Sequence, residues 1–249
     1  YICYAKENGL LIAYYAVSPV SFMVNGVAKD VALSMMTMTH PDFSGRGLFK
    51  QLAKNVYQKL KEDGFYGVYG FANMNSHYAF RKHLNWQDLN CMINLKYSKE
   101  IKEKEYKGTH QLINNEDLIL IEKEFESNKI TAKRSQEFLK WRLIDNPVND
   151  YYLFKCEKGT LIVYKFYQNK EIDVVDYAGA DENFFSDFKE FTTQVGSVYN
   201  LNIWMNLYSN QHLELEKLRY RPDRFNSYLG FIPLNSDDSA ALQYKNWRI

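Results

Sequence analysis

Apolar positions alternate with polar ones, or run unbroken, over most of the first hundred residues. The runs "YICYAK", "LIAYYAVSPVSFMV" and "KDVALSMMTMT" are rich in β-branched and aromatic residues and are separated by "ENG" and "NG". Asparagine-glycine pairs between such runs are a strong hairpin signal, because both residues tolerate a left-handed backbone. The three runs therefore predict an antiparallel meander. Within the last of them, Val31 to Thr39 carries no breaker and predicts a largely buried strand. The period then changes. Leu48, Leu52, Val56 and Leu60 recur every four residues with Phe49 and Ala53 beside them, which predicts an amphipathic helix from Leu48 to Lys61 that stops near Gly64. "FYGVYGFAN" follows as a buried aromatic strand, Ser76 to Leu84 as a second helix, and "NWQDLNCMINLKY" as another strand pair.

The stretch "SKEIKEKEYKG" is charged and nearly free of apolar residues, so it marks a boundary. Helical patterns follow in "NEDLILIEKEFESN" and in "SQEFLKWRLIDNP", the second stopped by Pro147. From Tyr151 the first theme returns as a hairpin pair, a helix in "ENFFSDFKEFTTQVGSVYN", a strand in "LNIWMNLYS", a helix in "NQHLELEKLRYR" and a last strand in "SYLGFIPL". The order repeats without residue identity. The expected organisation is a first domain over 1–97, a linker over 98–114 and a second domain over 115–249, each α/β with a mixed, largely antiparallel sheet and flanking helices.

Composition removes several classes of function. With 31 basic and 30 acidic side chains the formal net charge is +1, which argues against nucleic acid and against a polybasic membrane anchor. No apolar run approaches the roughly 20 residues of a membrane span, and no signal peptide opens the chain, so a soluble, cytoplasmic protein is expected. Cys3, Cys91 and Cys156 have no paired spacing, so neither a metal site nor a disulfide framework is expected. Tyr1 already stands inside a strand pattern, so a further N-terminal segment is expected to precede it.

Candidate chemistry concentrates where the strand pattern gives way to the helix, at "THPDFSGRGLFKQLA". A strand, a glycine turn and a helix present free backbone N–H groups at a positive helix terminus, and an anionic phosphate is the natural ligand there. Together with "GVYGFANMNSHYAFRKHLNW", this stretch resembles the central motifs of the GNAT acyltransferase superfamily. The resemblance covers Tyr1 to about Tyr97. It implies a GNAT-like fold, two such domains in tandem, and acetyl-CoA as acyl donor to a small-molecule amine. The pyrophosphate loop then falls on Ser44, Gly45, Arg46, Gly47, Leu48 and Phe49, with Ser44 in place of the usual Gln or Arg and Phe49 in place of a small residue. The backbone of Thr37, Met38 and Thr39 lines the cofactor, the family's Asn falls on Asn75, and the usual Leu-Gly-Phe ending reads Leu84, Asn85, Trp86. The family's first strand and substrate-gripping helices belong before Tyr1. The second half, with "RSQEFLKWRLIDNP", is similar to two-domain members linked to bacterial surface-sugar synthesis; it has Asp181 and Glu182 where the loop would be, and no cofactor is expected there.

The position that is often a catalytic Tyr holds Arg81, one helical turn from Tyr78. Tyr78 as proton donor and Arg81 as fixed cation are therefore the catalytic candidates. Of the histidines, His40 reads as a turn residue and His83 as solvent-facing, which leaves His77 as the best base candidate. Asp173 and Asp176, three apart on one strand, read as surface and turn residues; Trp141 with Arg142 reads as a packing anchor. Beside a CoA-dependent N-acyltransferase acting on an amino sugar or its nucleotide conjugate, two alternatives stay open: an aminoacyl-tRNA-dependent transferase, and a non-catalytic module that binds CoA or another ligand.

Overall fold

Two asparagine-glycine pairs set the first three strands in register. Asn8 and Gly9 have φ of 50° and 81°, Asn25 and Gly26 have 50° and 77°, and two successive left-handed residues give the turn twist that antiparallel strands need. They join β1 (Ile2–Glu7), β2 (Leu10–Val24) and β3 (Val27–Thr39) into the expected meander. The computed structural model describes residues 1–99, 105–124, 130–168, 171–207 and 209–235, apart from the side chains of 124 and 224–226. Part of the charged stretch expected to be a linker, 100–104, lies outside the described residues, as do 125–128 of the helical pattern that begins at Asn115.

After β3 come α1 (Leu48–Glu62), β4 (Gly67–Ala72), α2 (Met74–Leu84) and β5 (Gln87–Tyr97). β5 is one continuous strand, not the pair that its mixed sequence suggested: Asn90 holds the neighbouring Cys91 N–H with its side chain instead of turning the chain. Then follow β6 (Gln111–Leu112), α3 (Asn115–Glu124), β7 (Thr131–Ala132), α4 (Gln136–Leu143), β8 (Tyr152–Lys155), β9 (Leu161–Phe166), β10 (Glu171–Ala178), α5 (Phe184–Gln194), β11 (Asn200–Asn206), α6 (Asn210–Lys217) and β12 (Arg221–Pro233). The fold is mixed α/β with a largely antiparallel sheet and flanking helices.

Contacts divide the chain into two units. Of the described residues, the first takes 1–91, 130–133 and 227–235. Its strands run β1-β2-β3-β4-β12, with β7 beside β2. β3 and β4 are parallel, joined by α1 as crossover, and α1 buries Leu52, Ala53, Val56, Tyr57 and Leu60 against Ala13, Tyr15, Val17, Ala32 and Val68 of the sheet. The second unit takes 92–124 and 134–226. There the order is β5-β11-β10-β9-β8-β6, and β10 and β11 are parallel with α5 as crossover. Phe184, Phe188 and Phe191 of α5 pack with Ile172, Val174, Leu201 and Ile203. In each unit, then, the strand beside the parallel pair comes from far along the sequence: Tyr228–Pro233 against β4, and Met92–Tyr97 against β11.

Trp86 fixes the closing strand of the first unit. Its ring lies over Gly70 of β4 and Gly230 of β12, and a Cβ at Gly230 would stand 2.6 Å from the indole. A Gly230→Ala variant is expected to lose about 1–3 kcal/mol, the usual cost of overpacking a filled core. Urea unfolding should show a lowered midpoint at unchanged slope; an unchanged midpoint would refute the packing role.

Candidate active site

The parallel ladder between β3 and β4 spans Val31–Leu33 against Gly67–Tyr69. Beyond Leu33 and Tyr69 β3 stays with β2, and the two parallel strands part. Here β3 also bulges. Tyr15 pairs with Thr37 and Val17 with Ser34, so Met35 and Met36 stand opposite the single residue Ala16. A bulge bends its strand and re-aims the groups beyond it. Met35 and Met36 are 53% and 63% exposed, so they are not the sheet core their apolar character implied. Thr37, Met38 and Thr39 continue β3 past the fork to its end.

From Thr39 the chain enters a turn. His40 accepts the Asp42 N–H at Nδ1, and a short 3-10 helix covers Pro41–Phe43. Ser44 is exposed and gives its N–H to the Pro41 carbonyl. Gly45 and Gly47 have φ of 79° and 76°, and nothing lies within 4 Å of a Cβ built on either. These two positions require glycine for backbone conformation, not for space. Gly47 caps α1 without a side-chain bond, no acidic residue stands in the first turn, and the helical ladder begins with Gln51 N–H on the Gly47 carbonyl. The N–H groups of Leu48, Phe49 and Lys50 are thus left for an external acceptor, as at any helix start. Arg46 stacks 4.5 Å above the Phe43 ring and faces Glu7 at 3.8 Å. Leu48 and Phe49 turn their side chains to the core, Phe49 meeting Tyr15 and Phe80 edge-on. The groups of this turn that could take an anion are its backbone N–H groups and the Arg46 guanidinium, and their chemistry fits a pyrophosphate.

β4 ends at Ala72, and Asn73 caps α2 by accepting from the N–H groups of Asn75 and Ser76 at 3.0 and 2.9 Å. The helix therefore starts at Met74, two residues before the expected Ser76, and Asn75 lies in its first turn, exposed, instead of at the end of the strand. Asn73, an asparagine directly after a strand, carried the cap signal. At the other end Asn85 takes φ 59°. That left-handed cap is what the glycine of a Leu-Gly-Phe ending supplies.

Tyr78 and Arg81 come together on α2: with His77, Lys82, Asn85 and Trp86 they line an open pocket of about 430 Å³. Tyr78 is 61% exposed and its hydroxyl oxygen accepts from the Lys82 ammonium. His77 reaches both Asp88 oxygens at 2.8 and 2.9 Å and stacks on Tyr228 with ring centroids 3.6 Å apart. Arg81 reaches the same carboxylate at 3.3 Å. His83 is exposed and meets Tyr78 edge-on.

Beneath the fork lies a hydrogen-bonded chain that no local pattern announced. Trp86 Nε1 donates to Tyr57 Oη at 2.8 Å, the Tyr57 and Tyr15 hydroxyls are 2.9 Å apart, and Tyr15 donates to Ser34 Oγ at 2.9 Å. Burial pushes the Tyr15 phenol up to about 12 and holds Tyr57 well above the ordinary tyrosine value. Its bonded pairs are 19 to 42 residues apart in sequence.

The corresponding place in the second unit is built differently. After β10, Asp181 and Glu182 stand exposed in a 3-10 helix, and Asp187 in the first turn of α5 is buried, accepting from the Tyr177 hydroxyl at 3.1 Å. Asp176 is not a surface residue: Arg134 holds it from Nε and Nη2 at 3.2 Å, with both side chains 12–13% exposed. A bulge after Val174 breaks the simple alternation on which its surface placement rested. Trp141 is 66% exposed, so it does not anchor packing. The three cysteines are free. Among the described residues no His, Cys, Asp and Glu group is arranged for a metal, and no helix is long and apolar enough to cross a membrane.

Residues 2–88 match the family model of the acetyltransferase (GNAT) domain. Solved structures of the same fold cover nearly the whole chain. A probable N-acyltransferase of unknown function from Enterococcus faecalis V583 is 15% identical with a TM-score of 0.65, over 90% of this chain and 59% of that one. Eis1 from Mycobacterium abscessus is 12% identical with a TM-score of 0.66, over 97% and 66%. N-myristoyltransferase from Saccharomyces cerevisiae with bound myristoyl-CoA is 13% identical with a TM-score of 0.60, over 92% and 64%. The chain spans less than two thirds of the length of each. A search of curated proteins gives no match. Residues 2–88 are thus similar to a GNAT acetyltransferase domain, and the fold of the chain is GNAT-like.

Proposed function

We propose that this protein transfers an acyl group, acetyl in the simplest case, from CoA to a primary amine, and that the acceptor is an amino sugar or its nucleotide conjugate. The observation that carries this reading is the fork between β3 and β4 ending in a glycine turn whose helix N-terminus is uncapped. The pyrophosphate sits on the N–H groups of Gly45 to Lys50 with Arg46 beside it, and the backbone of Thr37, Met38 and Thr39 follows the pantetheine arm. The amine attacks the thioester carbon, the C–N bond forms, and the C–S bond breaks with its electron pair moving to sulfur. Tyr78 gives the leaving sulfur its phenolic proton, the surplus proton on the newly bonded nitrogen passes to water, from which the phenol is restored, and Arg81 contributes positive charge. The second unit binds no CoA, its equivalent turn being occupied by its own carboxylates.

One observation favours a second reading, a CoA-binding module without catalysis: both catalytic candidates already have partners, Arg81 in Asp88 and Tyr78 in Lys82. Thermal unfolding with CoA and acetyl-CoA, followed by free-thiol release across a panel of amines and amino sugars, separates the two. A ligand in hundredfold excess over its Kd should stabilise by about 2.7 kcal/mol. Stabilisation with thiol release supports the acyltransferase; stabilisation without turnover supports the module; neither effect removes both.

A further inference from the structure

The buried chain beneath the fork has a direction. An indole N–H can only donate, and each hydroxyl carries one hydrogen. With Trp86 donating to Tyr57, the Tyr57 hydrogen has Tyr15 as its acceptor, and the Tyr15 hydrogen has Ser34. Reversing the two hydroxyl bonds would leave the Tyr57 hydrogen buried with no acceptor, at a cost of about 1–3 kcal/mol. The chain therefore runs Trp86 to Tyr57 to Tyr15 to Ser34, and the one hydrogen left over is that of Ser34. Ser34 is the half-buried member at the end of three buried ones. It is also the first residue of β3 past the parallel ladder, immediately before the Met35 and Met36 bulge, and it abuts Gly70, where a Cβ would lie 3.1 Å from its own. Glycine on the facing strand lets Ser34 and the Trp86 ring both close on it, which fixes Ser34 at the fork.

We propose that Ser34 donates its hydroxyl hydrogen to the carbonyl oxygen of the bound thioester, with Tyr15, Tyr57 and Trp86 as positioning residues that hold it as a donor. The inference rests on the reading that the fork holds the acyl thioester. As the amine nitrogen bonds to the carbonyl carbon, the C=O π pair moves onto oxygen, and the Ser34 hydrogen bond strengthens with that charge. The nitrogen's surplus proton passes to water; when the pair returns, the C–S bond breaks with its electron pair on sulfur, which takes the Tyr78 proton and leaves as thiol, while Ser34 keeps its own proton throughout. A donor fixed before the reaction needs no reorganisation during it, and aligned hydroxyl dipoles behind it polarise in the same sense. Because burial holds both phenols protonated far above neutral pH, the chain keeps its direction across the working range.

The probe is the ketone analogue of acetyl-CoA in which methylene replaces sulfur, labelled with carbon-13 at the carbonyl. Bound to the native protein, its carbonyl resonance should move downfield of the free value. Ser34→Ala should abolish most of that shift and lower kcat about a hundredfold, the scale of losing one oxyanion donor, while free CoA binds within about twofold. Ser34→Thr should restore the shift. Tyr57→Phe, which cuts the link through which Trp86 sets the direction, should give an intermediate shift with a melting temperature above the assay temperature. A Ser34→Ala protein that binds the analogue with an unchanged resonance and turns over at full rate overturns the Ser34 assignment alone. A native protein that binds neither CoA nor the analogue overturns the acyltransferase reading and this inference with it.

Discussion

A Gly47→Glu protein is expected to lose about two powers of ten in CoA affinity while remaining folded. The position has φ 76° and ψ 8°, so any side chain there meets the cost of a left-handed backbone, about 1–2 kcal/mol. Space is not the obstacle, since nothing lies within 4 Å of a Cβ. The effect on binding is electrostatic. A carboxylate at the helix cap competes for the free N–H groups of Leu48 to Lys50 and repels the pyrophosphate; two unit charges 4 Å apart interact by about 4 kcal/mol at an effective dielectric constant near 20. Salt screening reduces this to the predicted loss. Gly47→Asn separates backbone from charge, because asparagine tolerates the left-handed region and is neutral. It should bind CoA within about fivefold of the native protein by titration calorimetry. Native affinity in a folded Gly47→Glu protein would show that the turn does not cradle the pyrophosphate.

That turn was legible in the sequence because its signals are local. Gly45 and Gly47 punctuate a change of period from strand to helix, and the Asn8-Gly9 and Asn25-Gly26 pairs give the meander its register; none of these depends on distant partners. What escaped the sequence is long-range. The Ser34 chain is assembled from β2, β3, α1 and the turn between α2 and β5. The bulge at Met35 and Met36 falls in a strand stretch without a breaker or a regular alternation, so nothing local marks it. Pairing of β12 with β4, and of β5 with β11, joins strands more than a hundred residues apart, where sequence neighbours are the usual partners. Asp176 looked exposed because its partner, Arg134, lies 42 residues away in sequence.

Tyr78→Phe is expected to lower kcat by about one to three powers of ten, within the span seen when a general acid is removed, with little change in CoA affinity. Lys82 sharpens the expectation. An ammonium has no lone pair to offer, so its bond to Tyr78 fills an acceptor site on the phenol oxygen and leaves the phenol hydrogen free to be given away. Phenylalanine keeps the ring, its cation-π contact with Lys82 and its edge contact with His83, and removes the proton alone. Arg81→Met is the rival test. It removes a positive charge while keeping much of the aliphatic stem, and His77 remains to hold Asp88 at 2.8 Å. If Tyr78 is the acid, the phenylalanine protein is slow and the methionine protein loses less. A Tyr78→Phe protein at full rate beside a crippled Arg81→Met protein would instead assign the role to the guanidinium, as a fixed charge opposite the thiolate. Full rates in both would leave water as the proton donor, and the pocket on α2 would then serve the acceptor and not the leaving group.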